Sequence, residues 1–259
     1  MTNRSLLKKV KWKDLTRLNR RQIFIENNIT LPWLFASWLL AYFHLYLFAI
    51  PCSFMFFLTA LRQVHNGFHS SLGIGKKATW LTLYVNSILM ITSVHAVKFS
   101  HLRHHKYCLG EQDHEGKCAR LPWYKALVYG PVHIFSIHKV ALLLGSKKYK
   151  WDTILELVSI ALFISIVVLI NVPFLLYHCL IMFTGEMFSA FFAVWSVHHD
   201  LGEHVIARTQ RTPWKNFITY NMFYHLEHHL FPAVPTIRLP ELARRIDEVL
   251  PELEKKETF

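Results

Sequence analysis

No Asp, Glu, Lys or Arg interrupts the chain from Asn27 to Leu61, a run of 35 residues with Ile50-Pro51 near its middle. Two helices of about 20 residues each, the second running on past Arg62, would go out and back across a hydrocarbon layer of roughly 30 Å. The proline places the expected turn at Ala49 to Cys52. A secretory signal fits poorly, because its apolar core is only about 7–15 residues long. A second charge-free run, Leu157 to Gly185, breaks at Asn171-Val172-Pro173 and predicts a second hairpin.

Two further segments are apolar but carry polar residues. Trp80 to Phe99 contains Asn86, Ser87, Ser93, His95 and Lys98, and Ala126 to Gly145 contains His133, His138 and Lys139. Both read as helices lying in or dipping into the interface. From Leu239 to Lys256, Leu239, Leu242, Ile246, Leu250 and Leu253 stand amid charge, the pattern of an amphipathic surface helix. The expected fold is all-α and membrane-integral, with four transmembrane helices in two hairpins and a cytoplasmic helical cap. One domain spans residues 1–259: a hairpin at about 28–70, a cytoplasmic or interfacial segment at about 71–150, a second hairpin at about 151–199, and a His-rich segment with its tail at about 200–259.

Composition agrees. Hydrophobic residues make up 53% and charged residues 18%, the latter below the roughly 25% usual in soluble proteins. The formal net charge is +12, and the basic residues cluster at Arg4–Arg21, Lys117–Lys150 and Arg208–Arg245, beside apolar segments. Both expected turns are short and uncharged, so the positive-inside rule puts both termini and the long middle segment in the cytoplasm. No zinc finger, helix-turn-helix or stacking platform accompanies the charge, which leaves nucleic acid without a reader. Cys52, Cys108, Cys118 and Cys179 form no CxxC pair, and Cys108, His114 and Cys118 supply only three ligands toward a separate zinc site.

The histidines change the picture. They number 17, and three clusters stand out: His65-Asn-Gly-Phe-His69, His101-Leu-Arg-His104-His105 and His225-Leu-Glu-His228-His229. Positions i, i+3 and i+4 share a helix face, so each cluster can aim two or three imidazoles at one point. A fourth group, His198-His199-Asp200 with His204, follows the last apolar run. If Trp80–Phe99 crossed the membrane, the second cluster would face the opposite side from the first, so a shared site requires that segment to turn back. Eight to ten neutral imidazoles exceed the needs of one ion, and a structural zinc takes four ligands, usually some of them thiolate. Two ions with open positions suit the set, and imidazole suits iron. Bis-His haem needs two to four histidines facing each other inside the bilayer, whereas these clusters lie at helix ends. A non-catalytic metal-handling protein would string polar ligands through the membrane interior, where this chain has only Glu186, His44 and His178. His44 and His178 read as packed or hydrogen-bonded.

The boxes HxxxH, HxxHH and HxxHH, in order from about Thr30 to Leu242, resemble those of the membrane fatty acid desaturase and hydroxylase superfamily, most specifically at Asn221-Met-Phe-Tyr-His225-Leu-Glu-His228-His229-Leu-Phe-Pro232. The resemblance implies a cytosol-facing centre of two non-haem irons, molecular oxygen as co-substrate, and an external electron donor of ferredoxin or cytochrome type. It implies as ligands His65, His69, His101, His104, His105, His225, His228 and His229, joined by His198 or His199 from the last membrane helix, with His198 favoured because adjacent residues point different ways. The first box departs from many acyl desaturases in having Asn66 where they have Asp. The stretch from His198 through Ile206–Arg211 is similar to a small bacterial group that desaturates dihydrorhizobitoxine, an amino-acid-derived ether, and such members would sit in the bacterial inner membrane. The implied reaction introduces a C=C bond into a fatty-acyl or related lipid-like chain. A hydroxylase or ketolase would use the same ligands, and a small non-acyl substrate is the further alternative.

Several residues outside the boxes are candidates for orienting imidazoles or touching substrate. Asp200, Glu227 and Asp113 or Glu115 can bond imidazoles or serve as solvated surface. Asn221, about one helical turn before His225, can hold a metal-bound water or be a plain polar residue. Glu186 lies 12 residues before His198, roughly 18 Å along a helix. A carboxyl at that depth is costly, so it either meets a polar substrate group or bonds Thr184 or another helix.

Overall fold

The structure, a computed structural model, describes residues 6–202 and 205–259, so Arg4 and His204 lie outside it. The described residues are helical apart from loops and one isolated β-bridge between Thr209 and Glu257. Helix α1 (Arg20–Asn28) starts at a capping box, in which Asn19 and Gln22 each accept the other's backbone N–H. Helix α2 (Leu31–Tyr42) and helix α3 (Tyr46–Phe68) form the first hairpin.

The turn of this hairpin differs from the expected one. It falls at Phe43–Leu45, where His44 takes a left-handed φ of 59°, and Pro51 lies inside α3. A proline there removes one N–H bond, the one to the Leu47 carbonyl, close to the helix start, and the helix continues past it. As a result α2 has only 12 residues, about 18 Å, too short to cross alone. Among the described residues three helices are long and apolar enough to span: α3, α8 (Lys147–Ile170) and the run Pro173–His198; a bent helix pair makes up to four if it counts as one span. The second hairpin turns where expected, at Asn171 in a left-handed conformation (φ 50°) followed by Pro173 at the start of α9 (Pro173–Ser189).

The bent pair is α4 (Lys76–Met90) and α5 (Val94–Tyr107), whose axes turn by 110°. Ile91 caps α4 in a left-handed conformation, and the Ser93 side chain accepts the Ala96 N–H to open α5. Glu156 of α8 clamps the bend. Its carboxylate accepts from Ser87 Oγ at 2.5 Å, Ser93 Oγ at 2.6 Å and the His95 N–H at 3.0 Å, and pairs with His95 Nδ1 at 2.5 Å. The chain therefore turns back, as a shared histidine site requires.

Helix α6 (Trp123–Leu127) and helix α7 (Gly130–Leu144) follow α5. Between helices in lipid the hydrophobic effect is weak, and packing with polar bonds replaces it. Ser53 bonds Ser37 at 2.7 Å and Tyr177 at 2.9 Å, and Tyr84 bonds Ser159 at 2.7 Å, around a core that includes Phe56, Ala60, Val64, Leu83 and Met182. Large apolar side chains such as Leu47 and Leu169, 82% and 83% exposed, point outward, as lipid-facing residues do.

After His198 come α10 (Pro213–Ile218), α11 (His225–Leu230) and α12 (Leu239–Val249). The apolar stripe of α12 is not a free surface face. Leu239, Leu242, Ile246 and Leu250 pack with Val10, Leu15, Phe231 and Val234 into a separate core. Arg245 adds a two-pronged ion pair to Asp14 at 2.8 and 2.9 Å, so α12 ties the N-terminal segment to the third histidine box.

Candidate metal centre

Helix α3 runs from the first turn to His65, and α9 runs beside it in the same direction, since Ser53 meets Tyr177 and, further along both helices, Phe57 lies against Gly185. From Tyr46 to His65 is roughly 28 Å along a helix, about the thickness of a hydrocarbon core. Beyond Ser189 the α9 backbone widens into a π-helical stretch, Ala190–Trp195, before ending at His198. A π-bulge inserts one extra residue into the helical register, and here it decides between two adjacent histidines. His198 turns inward and is 2% exposed, whereas His199 stacks on Trp195 at 3.8 Å and bonds the Trp195 carbonyl through Nδ1. His199, expected as an alternative ligand, lies outside the cluster.

Among the described residues nine imidazoles converge in two groups. His65, His69, His101, His105 and His228 form one, and His104, His198, His225 and His229 form the other, with the ligand atoms of each group within 4.8 Å of one another. Eight of the nine turn Nε2 toward another Nε2 at 2.8–3.3 Å. The ninth, His65, has a buried Nε2 without a partner.

The outward nitrogens show why. His104 Nδ1 meets Asp113 at 2.7 Å, His101 Nδ1 meets Glu115 at 3.0 Å, and His198 Nδ1 donates to the Ile206 carbonyl at 3.1 Å. With the proton on Nδ1, each Nε2 presents a lone pair to the middle of its group, and converging lone pairs call for a cation among them. Burial, reinforced by neighbouring imidazoles, holds His225, His228 and His229 well below the ordinary histidine pKa, so they stay neutral. Burial raises the Asp113 carboxyl, but the bond to His104, its charge and the backbone N–H groups of Gly116 and Leu109 together outweigh it and bring the pKa down to about 2; Glu115 is pushed up by burial to about 7. The donor set is nitrogen alone, without thiolate, and fits two metal ions of the kind imidazole favours.

Other expected contacts fall elsewhere. Asp200 is exposed and pairs with Arg208 at 3.4 Å, and among the described residues it bonds no imidazole. Glu227 is buried but faces away from the metal groups, accepting from Thr209 Oγ1 at 2.7 Å with the Arg211 guanidinium 2.5 Å away. Asn221 takes a left-handed turn (φ 62°) after α10, and its backbone N–H donates to the Asn216 carbonyl. Glu186 is buried, and Thr184 bonds the Leu180 carbonyl instead of Glu186. His178 bonds the Leu89 carbonyl and His44 meets Tyr46, as packed histidines do. Cys118 bonds the Ala190 carbonyl and Cys108 the Ile206 carbonyl, and neither joins a metal group with His114.

Asn66, the departure in the first box, has a structural cause. Its Nδ2 donates to Glu26 at 2.8 Å, and its Oδ1 accepts from the Thr236 N–H and Oγ1 at 3.1 and 2.8 Å. An aspartate would set a second carboxylate against Glu26. Arg62 completes the knot by pairing with Glu26 and donating to the Tyr220 carbonyl at 2.8 Å. This buried network joins the first box to the loops around the third, and the charge-free pattern of the hairpin gave no sign of it.

An apolar cavity of about 330 Å³ ends at the imidazoles. It runs between α3 and α9 from Ile50 past Phe57 and Gly185 to His65, His101, His198 and His225. Gly185 keeps the gap open, because a Cβ there would come within 3.1 Å of the Phe57 ring.

No solved structure matches the chain. Over 29 residues it is 66% identical to the sphingolipid delta(4)-desaturase DES1 of Drosophila melanogaster, a stretch covering 11% of this chain and 9% of the fly protein. The family model described as fatty acid desaturase matches residues 63–258, about three-quarters of the sequence and every histidine box, and the chain accordingly belongs to the fatty acid desaturase family.

Proposed function

We propose that this protein is an oxygen-dependent desaturase that introduces a C=C bond into a fatty-acyl or related lipid-like chain at a centre of two histidine-held irons. The observation that carries the reading is the cavity: an apolar channel whose inner end is made of imidazoles from both groups. His65, His69, His101, His105 and His228 would hold one iron, and His104, His198, His225 and His229 the other. When bound, the pair supplies oxygen activation: one O2, two electrons and two protons convert two neighbouring CH2 groups into CH=CH and release two waters.

The chain's own residues do the rest. Asp113 and Glu115 fix the rings of His104 and His101 with Nε2 inward, which sets ligand orientation and basicity. Phe57, Leu61, Val64 and Met182 hold the substrate extended and keep water from its CH2 groups. The +12 net charge favours docking of an acidic electron donor, a ferredoxin or cytochrome, on the face that carries the metal groups. By the positive-inside rule that face and both termini are cytoplasmic, with the uncharged turns at His44 and Asn171 on the far side.

Product analysis tests the reading. Lipids from cells expressing the protein are compared with those from cells expressing His225→Ala. A species lighter by two hydrogens that depends on His225 supports a desaturase, one heavier by an oxygen transfers the same site to hydroxylation, and identical lipid profiles contradict an oxidative role.

A further inference from the structure

Beside the channel lies a smaller cavity of about 70 Å³ that shares Leu61, Val64, Phe68, Val97, Glu115 and Ala193 with it. Its remaining wall is unlike the channel. It carries Glu186, His133, Ser189, Thr92 and His138, whose two ring nitrogens are bonded to the Ser93 N–H and the Ile134 carbonyl, on an otherwise apolar surface. Glu186 is 6% exposed and His133 4% exposed. Among the described residues the Glu186 carboxyl has neither an ion pair nor a hydrogen bond, His133 Nδ1 is buried without a partner, and so is the second oxygen of Glu115.

Buried polar groups are normally bonded, and each one left open costs about 1–3 kcal/mol. Two such atoms, beside a Glu186 carboxyl that opens on the same small space without a bond, point to something that bonds them there. Both carboxyls offer acceptor oxygens, and His133 Nδ1 can accept or donate according to its tautomer. A phosphate or carboxylate would meet acceptors of its own kind. A hydroxyl or amino group, which donates, matches all three.

Resting on the desaturase reading, we infer that the small cavity is a polar branch of the substrate channel, in which Glu186 and His133 hold a hydroxyl or amino group carried by the lipid chain. Val64 precedes His65 directly and Val97 precedes His101 by four residues, so the branch opens within about 6 Å of the imidazoles along the helices. The polar group would then sit only a few carbons from the bond that reacts. The substrate is a chain with a hydroxyl or amine near the site of desaturation, and Glu186 is a specificity residue. This accounts for a carboxyl deep in an apolar segment, where a plain hydrocarbon substrate would leave it without use.

The test measures binding without turnover on the full-length protein in detergent, using two probes of similar length: sphinganine, which bears hydroxyl and amino groups, and methyl palmitate, which has no donor. Wild-type protein is expected to bind sphinganine about tenfold more tightly or better, the size of one or two bonds to a buried carboxyl. In Glu186→Leu and in His133→Phe that preference should fall below about threefold while the methyl palmitate affinity and iron content hold. His133→Asn, which keeps a polar atom, should retain part of it and guards against a folding defect. Equal binding of the two probes by wild-type protein, as from a cavity that holds only water, would overturn the inference, as would a preference unmoved by both substitutions. Iron content is read separately, so failure of the metal centre would not be mistaken for failure of the branch.

Discussion

His104 depends on Asp113 for more than its position. The carboxylate fixes the proton on Nδ1 and so turns Nε2 into a lone-pair donor within the four-histidine group. Removing such a partner typically lowers metal affinity about 10–100-fold, so Asp113→Ala is expected to weaken iron retention by that factor in a chelator competition. Asp200→Ala should leave it unchanged, because that carboxylate is exposed and faces Arg208. Retention equal in the two variants would remove Asp113 from the account. At this scale the sequence was informative about which histidines gather, because i, i+3 and i+4 spacing survives any arrangement of the helices. It was silent on His198 against His199, since the choice depends on a π-helical stretch that no residue type announces. Asp200 and Glu227 are adjacent to histidines along the chain, yet of the four candidates it is Asp113 and Glu115, several residues away, that bond imidazoles of the metal groups.

Among the elements, the α4–α5 bend does most to bring the second histidine box to the first. Its clamp is Glu156, whose carboxylate bonds Ser87, Ser93 and His95 at once and is fully buried. Breaking a buried pair costs about 3–5 kcal/mol, because the remaining partners are left unbonded. Glu156→Ala should therefore lower the thermal unfolding midpoint in detergent sharply and take iron with it, whereas a midpoint within a degree or two of wild type would show that the bend holds by itself. Gly185→Leu makes the opposite prediction. It fills the gap against Phe57 13 residues before His198, so lipid binding should be lost with iron content intact, and unimpaired lipid binding would place the substrate elsewhere. The second hairpin was legible because Asn171 and Pro173 are ordinary turn residues. The first was misplaced by several residues because its turn uses a left-handed histidine, while the proline that suggested a turn is absorbed into α3. The helical tail was legible from its leucine spacing, but its partner, the segment around Val10 and Leu15, was not, since periodicity shows that a face is apolar and not what covers it.

On the scale of the whole molecule, the apolar helices place the chain in a membrane, and the histidine boxes gather where α3, α5 and α9 converge. The proposed acidic electron donor gives the excess of basic residues a testable role. Attraction between a +12 chain and an acidic donor is screened over about 8 Å at physiological ionic strength, so the rate of reduction by a plant-type ferredoxin should fall steadily as salt rises. A rate indifferent to salt would assign the basic residues to topology and lipid contact alone.

Metal analysis with the visible spectrum of the detergent-purified protein decides whether the two imidazole groups hold two irons. His104→Ala and His228→Ala take one ligand from each group. Wild-type protein is expected to carry about two irons per chain without a haem Soret band, falling to one or fewer in each variant. Haem, zinc alone, or iron indifferent to both substitutions would contradict the two-iron centre.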